Sequence, residues 1–87
     1  MPTKTRLIER AYAAWLKYRP GHGPPPTFGA STVEVYDDRT YVFLRRGEQI
    51  VAVYRYVPAT ANTRDTLKPL ERYWPGPYGR RRAATAA

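Results

Sequence analysis

The sequence predicts a small α+β domain, αβββ(α), in which a three-stranded antiparallel meander packs on an N-terminal amphipathic helix. Three observations carry this expectation. Residues 4 to 18 repeat their apolar side chains at the helical period. Residues 31 to 57 switch to an alternation of period two, and short turn-forming pairs divide that stretch into runs. With 87 residues the chain makes one domain. A domain of that size removes only about 60–65% of its unfolded surface from water, so its large apolar groups belong to the core before they belong to a site.

The first element, KTRLIERAYAAWLKY over residues 4 to 18, has Thr3 or Thr5 as N-cap and is stopped by Pro20-Gly21. Leu7, Ile8, Ala11, Tyr12, Ala14, Trp15, Leu16 and Tyr18 cover a broad apolar arc, and Arg6, Glu9, Arg10 and Lys17 occupy the remainder. Residues 20 to 30 follow as a Pro/Gly linker, whose prolines and glycines disfavour helix and strand.

Three β-rich runs come next: TVEVY, YVFLRR and QIVAVYRYV, with turns at Asp37-Asp38-Arg39 and Gly47-Glu48. Pairing the first hairpin across Asp38-Arg39 sets Val35 opposite Val42 and Val33 opposite Leu44. Pairing the second across Gly47-Glu48 sets Leu44 opposite Val51 and Val42 opposite Val53. One face is then aliphatic and takes the helix. The other collects Glu34, Tyr36, Tyr41, Phe43, Arg45, Ile50, Ala52, Tyr54 and Tyr56.

TLKPLERYW reads as a short second helix with Thr66 as N-cap and Pro69 in its first turn. Residues 1 to 75 thus form the domain, and residues 76 to 87 a flexible basic tail.

Charge bounds the function. Lys+Arg number 15 against 7 Asp+Glu, a net charge of +8 that points to an anionic partner, most often nucleic acid. With 43% hydrophobic and 14% aromatic residues, full disorder is excluded. There is no cysteine and one histidine, His22, set in a glycine-flanked linker, so neither a zinc site nor a His-based triad can be assembled. No enzyme, metal or cofactor is expected. The longest apolar run, Ile50 to Tyr54, is too short to span a bilayer, and no secretory core follows Met1, so a cytoplasmic protein without membrane partners is expected.

Candidate binding residues fall into four groups. Arg6, Arg10 and Lys17 line one helix ridge around Ala13. Arg45 and Arg46 sit at a hairpin tip, and Arg80, Arg81 and Arg82 form a cationic arm. Tyr36, Tyr41, Phe43, Tyr54 and Tyr56 form an aromatic sheet face suited to stacking unpaired bases or to docking a protein or a second copy. Each group has a structural counterpart: a solvated helix face, turn chemistry, a solubilising terminus, and a core covered by the second helix.

The order helix, three antiparallel strands, helix is similar to that of double-stranded RNA-binding domains over residues 4 to 74. Where that family carries a lysine cluster at the start of its second helix, this chain has Arg64, Lys68 and Arg72. The likeness is one of element order, and no residue role follows from it. The expected function is a small non-enzymatic nucleic-acid-binding protein that grips phosphates with Arg and Lys. The rival is a protein–protein interaction or homodimer module built on the aromatic face, and a phage or mobile-element accessory protein fits either.

Overall fold

The computed structural model describes residues 2–18, 24–71 and 74–78. Its elements are α1 (Lys4–Tyr18), β1 (Thr27–Tyr36), β2 (Arg39–Arg46), β3 (Gln49–Val57) and β4 (Thr66–Leu70). The strands form one antiparallel sheet in the order β1-β2-β3-β4. The α+β class is as expected, with four strands in place of three. Among the described residues no helix is long and apolar enough to cross a membrane.

Thr3 is the N-cap: its Oγ1 accepts the Arg6 amide at 3.2 Å, and its carbonyl accepts the Leu7 amide. Leu7, Ile8, Ala11 and Trp15 are buried against Val42 and Leu44, so α1 covers the aliphatic face of the hairpin as expected. Each of the larger side chains contributes about 1.5–3 kcal/mol. The apolar arc is narrower than the sequence suggests, since Leu16 and Tyr18 are 49% and 70% exposed.

The linker is shorter than expected. β1 starts at Thr27, so residues 27 to 30 are strand, and residues 19 to 23, with His22, lie outside the described residues. An irregularity between Thr27 and Thr32 lets the early strand rejoin β2. Buried Ser31 stitches it, donating to the Thr27 carbonyl at 3.0 Å and accepting the Arg45 amide at 3.1 Å.

The first hairpin turns on Asp37-Asp38, both at positive φ (52° and 61°), which matches the right-handed twist of the strands it joins. Val33 therefore faces Val42, two positions from the expected register, and an even shift leaves every side chain on its face.

The second hairpin turns on Gly47-Glu48, with Gly47 at φ 62°. Its register begins as expected, with Arg46 opposite Gln49 and Arg45 opposite Ile50, and then breaks. Leu44 faces Ala52, Phe43 faces Val53 and Val42 faces Tyr54, so Val51 is an extra residue in β3. That single residue exchanges the two faces of the rest of β3. Tyr54 and Tyr56 move under the helix, and Val53 and Arg55 join Tyr41 and Phe43. The expected aromatic face is thus split between the two sides of the sheet.

The second helix does not form. Thr66–Leu70 pairs with β3 from Val57↔Thr66 to Val53↔Leu70. Left without β4, β3 would expose a row of unpaired amides, and Pro69 fits an edge strand, where its missing N–H costs no ladder bond. Pairing outweighs the local helix signal, and the element order shared with double-stranded RNA-binding domains ends at β3. Trp74 and Tyr78 pack against the buried cluster of Tyr41, Phe43 and Val53, and of the two Tyr78 belongs to the stretch expected as tail. Gly76, at φ 60°, lies so close to the Tyr36 ring that a Cβ there would stand 2.5 Å from it.

Candidate nucleic-acid interface

Among the described residues, two of the cations picked from the sequence, Arg10 and Arg45, are held by acids, while Arg6, Lys17 and Arg46 make only surface contacts. Arg10 holds Asp65 through both guanidinium nitrogens, at 3.0 and 3.4 Å, and Tyr56 donates to the same carboxylate at 3.0 Å. This bond ties α1 to the end of the β3–β4 loop and interrupts the Arg6, Arg10, Lys17 ridge in its middle. Arg6 lies 3.9 Å from Glu9 with both side chains exposed, a pair of little energetic weight. Lys17 sits over the Tyr18 ring at 5.3 Å, and exposed Arg46 donates to Gln49. Arg80, Arg81 and Arg82 lie outside the described residues.

Arg45 is a clamp and not a projecting tip cation. It donates to Glu34 at 3.1 Å and to the Tyr78 hydroxyl at 3.0 Å, and it lies over the Phe43 and Tyr78 rings at 5.6 and 5.5 Å. Glu34 also accepts from Thr32 at 2.8 Å and from Tyr36 at 2.6 Å.

Burial pushes the Glu34 carboxyl up, but the hydrogen bonds from Tyr36, Thr32 and Arg45 outweigh it and hold it below the usual carboxylate value. The same bond, with burial, pushes the Tyr36 phenol up to about 12. At the helix side, Asp65 is held low by Arg10 first and Tyr56 second.

These shifts set a pH profile. The Tyr36 contribution is complete below pH 10.0, the ordinary phenol value, and is lost as pH rises through about 12. The Glu34 and Asp65 contributions are present above the ordinary values of 4.5 and 3.8 and are lost as pH falls through the lower folded ones. Thermal midpoints should therefore form a plateau that falls on both sides. Tyr36→Phe should remove the step near pH 12 from the phenolate absorbance titration. A wild-type minus variant difference curve centred near 10 would show that the Tyr36–Glu34 bond does not persist in solution.

The aromatic residues are unavailable as a stacking platform. Tyr41, Phe43, Tyr54 and Tyr56 are 7%, 0%, 4% and 8% exposed. Tyr36 is half-buried with its ring 6.4 Å from those of Tyr41, Phe43 and Tyr78, and Phe43 and Tyr78 stand 4.9 Å apart. Trp74 and Tyr78 take the covering role foreseen for a second helix.

What remains open is the other end of that face. The bulge at Val51 places Arg55 directly between Tyr41 of β2 and Lys68 of β4, and Arg39, two residues before Tyr41, shares their side of the sheet. Arg39 and Lys68 are exposed and Arg55 is half-buried. Among the described residues none of the three forms an ion pair with an acid. Like charges directly opposite on neighbouring strands destabilise a sheet, so the Arg55–Lys68 pair works against folding.

Sequence reasoning missed this strip because it read Arg39 as a turn residue, Lys68 as part of a helix, and Arg55 on the opposite face of its strand. Unbroken alternation puts Arg55 in line with Val51 and Val53, under the helix, where it would be a buried cation. That conflict was the available sign of a bulge in Ile50-Val51-Ala52-Val53. The chain matches no protein-family model, and no curated protein or solved structure is significantly similar to it.

Proposed function

We propose that the protein is a small non-enzymatic nucleic-acid-binding protein that grips the phosphate backbone with Arg39, Arg55 and Lys68 on the open end of the sheet. The observation that carries this reading is the cross-strand pairing of Arg55 with Lys68, without a described counter-ion, in a chain of net charge +8. A polyanion supplies the missing charge and relieves the repulsion. Phosphate contacts position a protein on nucleic acid without reading bases. With Tyr41, Phe43, Tyr54 and Tyr56 buried, base stacking has little to offer, so recognition is by backbone charge and independent of sequence. The rival docking module loses its aromatic surface for the same reason.

A salt titration tests the reading. Affinity for a duplex should fall linearly in log–log form, with a slope of about −0.9 for each phosphate neutralised, hence about −2.7 for three contacts. Additional cations would steepen it. Affinity that ignores salt, or no binding at low ionic strength, rejects phosphate gripping.

A further inference from the structure

We propose that Thr66 and Arg64 complete a seat for one backbone phosphate, with the Thr66 hydroxyl donating a hydrogen bond at its centre and Arg64 adding a fourth cation at its rim. The seat rests on the phosphate-gripping reading and extends it to the residues of a single contact.

β4 alternates between the two sides of the sheet. Leu67 packs under the helix with Tyr54 and Tyr56, and Leu70 packs with Phe43 on the other side, so Thr66 and Lys68 stand with Leu70 on the side of the strip. Thr66 is exposed, and its cross-strand partner is half-buried Val57. On the same face Thr32 gives its hydroxyl to Glu34, whereas among the described residues the Thr66 hydroxyl has no hydrogen-bond partner.

Cations surround that hydroxyl. Lys68 is two residues along β4 from Thr66, and Arg55 is two residues along β3 from Val57, about 7 Å in each case. Carried on by two residues, the register that pairs Tyr41 with Arg55 brings Arg39 alongside Val57, two strand spacings or about 10 Å from Thr66.

Arg64 closes the remaining side. Residues 64 and 65 form no turn before β4, and Asp65 is drawn to the helix side by Arg10 and Tyr56, so alternation sends Arg64 to the side of Thr66. Arg64 is exposed, and among the described residues it forms no ion pair with an acid. The Arg10–Asp65 bond thus serves the seat as well as the fold. It holds the acid that separates Arg64 from Thr66 on the far side of the sheet, where it does not compete for an anion. A phosphate over Thr66 then has its charge met from the rim, and one of its oxygens is fixed by a hydroxyl on a paired strand. Hydroxyl and guanidinium donors of this kind set the position of a protein on nucleic acid without reading bases.

Binding of a labelled DNA duplex by the full chain, measured by fluorescence anisotropy at several salt concentrations, tests the seat. The four cations alone should give the wild type a slope of about −3.6, and Arg64→Ala should be shallower by about 0.9. Thr66→Val removes a neutral donor and keeps the branched shape, so affinity should fall by about two- to tenfold while the salt slope and the melting temperature hold. Thr66→Ser keeps the hydroxyl and should bind as the wild type does. A Thr66→Val protein that binds like the wild type, or that loses affinity only together with its melting temperature, overturns the seat, as does an unchanged slope in Arg64→Ala. Each of these results leaves phosphate gripping by Arg39, Arg55 and Lys68 intact, whereas a wild type without salt-dependent binding rejects the strip and the seat together.

Discussion

Replacing Arg55 and Lys68 together by alanine should weaken nucleic-acid binding roughly tenfold for each cation, the lower end of the 1.5–3 kcal/mol range for charged hydrogen bonds, because water screens the site. The salt slope should fall by about 1.8, two contacts at about 0.9 each. Stability should move the other way. Removing two like charges that face each other across β3 and β4 relieves about 0.2–1 kcal/mol, so the melting temperature should be equal or higher. That opposition of signs separates a binding role from a structural one. Arg45→Ala should do the reverse, lowering stability by freeing Glu34 and Tyr78 while leaving the salt slope in place. Filter binding at several salt concentrations, with calorimetry on the same proteins, reads both effects. An unchanged slope in the Arg55/Lys68 variant clears the strip of any part in binding.

Phe43→Ala should be the most damaging single change. The ring is fully buried in the second core cluster, where Tyr41 and Val53 are its buried neighbours and Tyr36, Trp74 and Tyr78 pack from above. It has an edge-on contact with Tyr36 at 6.4 Å and a tilted one with Tyr78 at 4.9 Å, and it underlies the Arg45 guanidinium. Truncating such a ring costs about 3–5 kcal/mol. A small domain has about 5–15 kcal/mol in all, and each kcal/mol shifts its melting temperature by about 4–8 °C. The midpoint should fall by tens of degrees, and Tyr78 should lose its seat. Phe43→Leu keeps most of the volume and should cost far less. A Phe43→Ala midpoint within a few degrees of wild type would mean that the residues 74–78 segment does not rest on this face.

Much of the fold was legible in the chain. The capping threonine, the 3.6-residue spacing of Leu7, Ile8, Ala11 and Trp15, and the turn residues at Asp37-Asp38 and Gly47-Glu48 are local signals. Local physics decides them in the same way wherever the segment sits. The site was less legible. Arg10 and Arg45 looked like free cations because their partners, Asp65 and Glu34, are distant in sequence, 55 and 11 residues away. Arg55 went unseen because a face can be assigned only after register is known, and one inserted residue reverses it, whereas Arg39 was read into a turn and Lys68 into a helix.

Residue type and spacing along short stretches were enough for the class of the fold, the helix, the strand runs from Thr32 to Val57 and the surplus of positive charge, while the choice of Thr3 over Thr5 as cap came from the fold. Tertiary structure alone decided that residues 66 to 70 become a fourth strand, that Val51 is extruded as a bulge, and that Tyr54 and Tyr56 exchange sides with Arg55. The physical reason is common to all three. Backbone hydrogen bonds and burial are satisfied across the whole sheet at once, and no segment can choose its face or its partner before the neighbouring strand is in place.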